Sequence, residues 1–356
     1  MHSFNRILIA ILGVALFFSF ISGLVIVPYM NSESSYFQDK NVRKTLAGTI
    51  DCLVIGDSHA LAGINTEILD NELGYNSYNL SGSMMTLDNK YYLLSKELAR
   101  NPVDTVVIDI GRDTLTRDET QEFAIGDEPT IARLDSFGER ISYVVQYMPV
   151  NDWLNLYSRE FVMGLEYYQS LLTGESVNNV DYNLKGYRPK TPADITLSEE
   201  EAKLKYNSSK LNTNYRNDNI EKLNRIIDLC NSYHCRIVLV VIPESNRLIW
   251  EIDGWDSFYE WLKDYANQKN CELYDINLVK NRNEIFKDSE SFSDPDHVST
   301  IGAEVTTRTL AQVMKNPKDW QLYSYQSYDD VKKTMKYEAS LECVGKPNPR
   351  LCRESY

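Results

Sequence analysis

Three residues of this 356-residue chain have the types and spacing for nucleophilic chemistry. Ser58 closes the stretch Leu53-Val54-Ile55-Gly56-Asp57-Ser58, an apolar run that stops at a turn. Asp294 and His297 lie three positions apart near the other end of the chain. A carboxylate so placed can orient an imidazole and fix its tautomer. The imidazole can then take a serine proton as general base and return it to a leaving group. In the chain order Ser58, Asp294, His297, such a set passes an acyl group through the serine. The backbone N–H groups of Ser58 and Gly82 are candidate oxyanion donors, each such donor being worth roughly 3–4 kcal/mol in kcat. Each piece also has a plain alternative: a capped turn at Ser58, a surface hydrogen bond at Asp294 and His297. His59, directly after the serine, reads as a wall of the pocket, because neighbours at a turn seldom face each other as base and nucleophile must.

The elements that would gather these residues follow from periodicity. Thr49 to Ile55 predicts a first strand, with Gly56 allowing a sharp turn. A helix follows from the Asn65 cap to the Gly74 stop. Tyr75 to Leu80 is a second strand, running into Ser81-Gly82, and Leu87 to Leu98 carries apolar residues at helical spacing. Val103 to Ile110 is a third strand. The pattern resumes with a helix over Asn219 to Cys230, a strand over Arg236 to Ile242, a helix over Trp255 to Asn267, a strand over Glu272 to Ile276 and a closing helix over Thr300 to Met314. Alternation of this kind predicts a parallel α/β sheet. Ser58 and the Asp294–His297 pair then both fall on its carboxyl edge, where open sheets bind ligands. Between Arg112 and Asn214 no stretch reads as a core strand. The aromatic part, Ile141 to Leu172, predicts helix. An insertion of this size is either a lid or substrate-binding element, or a helical cover for the sheet. Pro189 to Pro192 and Ser198 to Glu201 mark a loop and the start of another helix.

The amino end has the character of a targeting signal. Ile7 to Val27 is apolar for long enough to span a bilayer, Arg6 precedes it and no positive residue follows closely. A retained single-pass anchor with the remainder outside the cytoplasm is the expectation; a cleaved signal peptide is the alternative. The divisions expected are a cytoplasmic end and anchor over 1–30, a polar tether over 31–48, the sheet domain over 49–315 with its insertion over about 112–214, and a peripheral extension over 316–356. The net charge of −14 argues against nucleic acid and against a polybasic grip on anionic lipid. Of the six cysteines, Cys343 and Cys352 bracket a turn, and Cys235 and Cys271 could meet if their strands are neighbours. Cys52 reads as a buried hydrophobe. No C-x-x-C pair occurs and the four histidines are scattered, so no metal or other cofactor is expected.

Gly56-Asp57-Ser58, Asn79-Leu80-Ser81-Gly82 and Asp294-Pro295-Asp296-His297 with Gly302 together resemble the SGNH or GDSL-type hydrolases. The matching stretches are spread over about Thr49 to Met314, with the long insertion unmatched. The resemblance implies a three-layer α/β/α flavodoxin-like sheet of strand order 2-1-3-4-5. It also implies Ser58 as nucleophile, His297 as base, Asp294 as its orienting acid and Gly82 as an oxyanion donor. The family's Gly-x-Asn-Asp after the third strand is here Gly111-Arg112-Asp113. Arg112 is therefore a candidate replacement donor, unless the hole has two legs or the activity is altered. The anchored layout is similar to that of proteins acting in teichoic-acid D-alanine transfer and alginate-type O-acetylation, which work beside a multi-span membrane O-acyltransferase. By that resemblance the acceptor is a cell-surface polysaccharide or a teichoic-acid-like polymer. The alternatives are a stand-alone carboxylesterase or lipase, and a non-catalytic glycan-binding protein on the same fold.

Overall fold

The five stretches read as strands form one parallel sheet. In the computed structural model, β1 (Cys52–Ile55), β2 (Ser77–Asn79), β3 (Thr105–Asp109), β4 (Arg236–Val241) and β5 (Glu272–Asp275) pair in the order β2-β1-β3-β4-β5. That is the 2-1-3-4-5 order expected. The structure describes residues 20–30, 36–119, 123–174, 184–193 and 209–334, with 13, 17 and 195 besides. β1 and β3 are buried along their whole length, as strands covered on both faces must be, which is why Cys52–Ile55 and Val106–Ile108 read as apolar runs.

Among the described residues, helices of six or more residues are α1 (Tyr36–Thr45), α2 (Ser58–Gly63), α3 (Thr66–Leu73), α4 (Leu87–Leu98), α5 (Phe123–Ala132), α6 (Phe137–Tyr147), α7 (Val150–Thr173), α8 (Asn217–Ser232), α9 (Asn246–Glu251), α10 (Trp255–Lys269) and α11 (Thr300–Lys315). Asn65 caps α3 through Glu67 N–H and Ile68 N–H, and Gly74 ends it in the left-handed region. Val54, Val107 and Val240 from the strands pack with Leu69 of α3 and Leu310 of α11 in one core. A short antiparallel hairpin, β6 (Phe292–Asp294) and β7 (His297–Val298), precedes α11.

The chain divides into two units. One combines Leu46–Gln121 with Leu184–Tyr356 and holds the sheet; the other combines Met1–Thr45 with Glu122–Asn183 and is helical. The expected insertion is thus split: its part after Asn183 belongs to the sheet unit. The expected tether contains α1, whose Asp39 and Arg43 are buried and bond Arg133 near the end of α5. A polar stretch read as linker is polar because its charges pair inside the helical unit. The extension after residue 315 is likewise not peripheral as far as residue 334. Tyr328 is fully buried, stacks on Trp255 at 5.1 Å between centroids and donates to Asp275 Oδ2 at 2.7 Å. Cys343 and Cys352 lie outside the described residues, as does the predicted helix start at Ser198. β4 and β5 are neighbours, yet Cys235 and Cys271 are free thiols, as are Cys52 and Cys230. Most of the apolar run from Ile7 also falls outside; among the described residues no helix is long and apolar enough to cross a membrane.

Candidate active site

The turn after β1 decides what Ser58 does. Asp57 is the N-cap of α2, accepting from His59 N–H at 3.0 Å, so the capping duty falls on the aspartate. Ser58, the first helical residue, has a hydroxyl with no capping duty. Gly56 lets the turn sit this deep: a Cβ there would lie 2.6 Å from both the Ala60 and Asp109 Cβ atoms.

The hairpin β6–β7 delivers the partners. Asp294 Oδ1 accepts from the N–H groups of His297 at 2.9 Å and Asp296 at 3.2 Å, which folds the tight turn. The same oxygen stands 2.7 Å from His297 Nδ1, and His297 Nε2 stands 2.8 Å from Ser58 Oγ. With Nδ1–H donated to the carboxylate, Nε2 is the acceptor for the serine proton. Ser299 caps α11 directly behind the hairpin. Gly302 permits the helix to approach: a Cβ on it would meet the Ser291 carbonyl oxygen at 2.1 Å.

Five further side chains surround this set: His59 and Arg112, read from the sequence as pocket wall and candidate donor, and Lys190, Glu244 and Asp296, to which no role was given. Lys190 Nζ lies 3.2 Å from Asp294 Oδ2. Its loop is tied down by Thr300 N–H donating to the Lys190 carbonyl and Ala193 N–H to that of Phe292. His59 Nδ1 is 3.0 Å from Asp57 Oδ1, its Nε2 is 3.7 Å from Asp296 Oδ2, and its ring stacks on His297 at 4.8 Å. Glu244, buried after β4, pairs with Arg112, whose guanidinium also stands 3.6 Å from Asp296. Asp296 sits inside the motif that was read for Asp294 and His297, so its position was the available signal. Lys190 and Glu244 had none.

Charges in this cluster set each other. Burial disfavours a charged His59 ring, but Asp57, Asp296 and Glu244 outweigh it and hold the ring well above its ordinary pKa. Asp57 is likewise buried, and His59 and Lys90 hold it well below the carboxylate range. His297 moves down, through burial and then the positive His59, against the pull of Asp294. Asp109, fully buried at the end of β3, is pushed up to about 7 by burial and by Asp57. His297 is thus kept a neutral base beside a cationic histidine.

The predicted oxyanion donors are placed differently. Neither the Ser58 N–H nor the Gly82 N–H, the latter in the loop after β2, makes a hydrogen bond among the described residues. Asn79 does not point to the site but braces it, its amide donating to the Ala60 carbonyl of α2 and to that of Ile64 just after it. Arg112 is held by carboxylates rather than standing free. Two groups, Asp57–His59–Asp109 and Asp294–Asp296–His297, bring donor atoms within 4.8 Å of one another. In both, the imidazole Nδ1 is already taken by a carboxylate and a lysine raises the local positive potential, so they read as hydrogen-bonded pairs.

No protein-family model matches the chain, and no curated protein matches it. Among solved structures it is similar to a protein assigned to the lipolytic G-D-S-L family from Desulfitobacterium hafniense DCB-2, at 10% identity and a TM-score of 0.35, over 74% of this chain and 98% of that one. An overlap that low carries no weight for the chemistry, which rests on the geometry above.

Proposed function

We propose that the chain is a serine esterase or acyltransferase of SGNH type, working through an acyl-Ser58 intermediate. The observation that carries this is the unbroken relay from Ser58 Oγ through His297 to Asp294, at 2.8 and 2.7 Å. Ser58 Oγ attacks the ester carbonyl while its proton passes to His297 Nε2. The tetrahedral oxyanion collapses, the ester C–O bond breaks, and the leaving alkoxide takes that proton. Water or an acceptor hydroxyl then gives its proton to His297 and attacks the acyl-serine, and Ser58 regains the proton. Asp294 stabilises the imidazolium in both halves, and Lys190 Nζ, 3.2 Å from its Oδ2, helps hold that carboxylate in place.

The finer reading is a membrane-anchored enzyme, its site on the outer side of the cell membrane, acylating or deacylating a cell-surface polysaccharide or teichoic-acid-like acceptor beside a multi-span membrane O-acyltransferase. Its support is the apolar run at Ile7 to Val27 and the resemblance to anchored acylation proteins. Arg112 engaged by Glu244 and Asp296 leaves two backbone donors for the oxyanion, which favours an assisted transferase over a stand-alone lipase.

The test is a fluorophosphonate probe on the wild type, Ser58→Ala and His297→Ala, with aryl-acetate hydrolysis in parallel. Labelling confined to the wild type is expected. Equal labelling of all three would remove Ser58 as nucleophile; none in any variant would favour a glycan-binding role on this fold.

A further inference from the structure

The helical unit carries an apolar surface that its own packing does not use. α7 is 24 residues long, about 36 Å at 1.5 Å per residue. Val150, Leu154, Leu165, Tyr168 and Leu172 recur on one face at helical spacing, and all are exposed, Leu154 at 73% and Leu172 at 88%. The polar face, with Asn155, Arg159 and Glu166, lies to one side of this stripe. The packed face, centred on the buried Gly164, lies to the other.

What packs there is the end of the apolar amino-terminal run. A Cβ on Gly164 would stand 2.5 Å from the Val25 carbonyl oxygen, and Tyr168 donates to the Leu24 carbonyl at 2.7 Å. Tyr29 meets Met163 and Tyr167 of α7. On the run itself Phe20, Leu24 and Val27 are exposed as well. Two exposed apolar stripes therefore adjoin, one belonging to α7, the other continuing into the segment long enough to span a bilayer. Arg159, Glu160 and Glu166 forbid α7 itself from crossing hydrocarbon.

We propose that α7 lies in the plane of a lipid bilayer, its Val150–Leu172 stripe sunk into the headgroup–acyl boundary beside the point where the amino-terminal run leaves the membrane. An amphipathic helix with aromatic residues and its charges on the opposite face is suited to that boundary. Attachment would be apolar rather than electrostatic, since the chain is strongly acidic. The inference rests on the anchored part of the reading above and is independent of catalysis.

The experiment uses the full chain in phosphatidylcholine vesicles, with bimane on Leu165→Cys or, for the polar face, Glu166→Cys, and the native-thiol background measured on the unsubstituted chain. A lipid-borne nitroxide is expected to quench position 165 on the order of twofold more than position 166, and aqueous iodide the reverse, because such a face sits ~5–10 Å into the boundary. Position 165 quenched by iodide as strongly as 166 overturns the proposal in favour of a hydrated helix. Position 165 shielded from both quenchers overturns it in favour of a protein cover, a second copy or a partner. A chain that fails to float with the vesicles overturns it together with the anchor, whereas one that floats yet shows iodide access at 165 loses only the α7 contact.

Discussion

The rings of His59 and His297 stack at 4.8 Å, inclined by 23°. One is held by Asp57 and kept cationic, the other by Asp294 and kept a free base. Two histidines in contact thus divide the protonation states between them, as coupled groups do when their surroundings differ.

Removing the His59 charge is predicted to raise the His297 pKa. His59→Gln should move the acidic limb of kcat/KM up by about 1–2 pH units, since a charge at this separation acts through an effective dielectric near 20. The same displacement should appear in the imidazole NMR titration of His297 in a Ser58→Ala background, where only four histidines contribute. An unmoved titration in both would show that the stack is only packing.

Arg112 separates two roles by magnitude. As the partner of buried Glu244 it is structural, and Arg112→Met should cost about 3 kcal/mol or more in urea unfolding by stranding that carboxylate. Glu244→Gln in the same chain should restore much of the loss. As an oxyanion donor it would instead cost about 10²–10³ in kcat. The ion pairs predict the first outcome, with kcat of the folded fraction changed by less than about tenfold.

Asp109 has both carboxylate oxygens buried, with no side chain paired to them among the described residues. Its folded-state pKa of about 7 lies above that of an ordinary carboxylate. Stability is therefore complete below the unfolded pKa near ~4 and is lost as pH rises toward 7. Asp109→Asn removes that loss: it should raise stability at pH 8 by at most about 4 kcal/mol and change little near pH 4. Denaturant midpoints at the two pH values read the difference.

Gly56→Ala tests the turn below the nucleophile. Two Cβ atoms stand 2.6 Å from the new one, one on β3 and one on α2, so neither can swing aside as a long side chain would. A cost of about 1–3 kcal/mol is expected, with probe labelling at Ser58 falling further than stability does.

The sheet was legible because β1, β3 and β4 are covered on both faces, so that Cys52–Ile55, Val106–Ile108 and Ile237–Val241 are apolar. The α4 boundaries, Leu87 to Leu98, and the Asn65 and Gly74 caps agree with the sequence reading because the signals are local. Ser58, Asp294 and His297 come together because each stands at an element end on the same sheet edge. What escaped is set by partners far along the chain. Lys190 reaches Asp294 across 104 residues and Arg112 reaches Glu244 across 132. α1 was hidden by its own buried charges, and α5 by Pro129 inside it.

Asp275 ends the last strand of the sheet, and the hydroxyl that meets its Oδ2 comes from Tyr328, 53 residues later. A nascent chain with all five strands already synthesised still has this carboxylate without its tyrosine, and Trp255 without the ring that covers it. Completion of the fold waits for the tail. A chain cut before Trp320 keeps all five strands but leaves Asp275 and Trp255 without Tyr328, so it should be cleaved by proteases faster than the full chain; equal cleavage rates would show that the tail adds nothing to the fold.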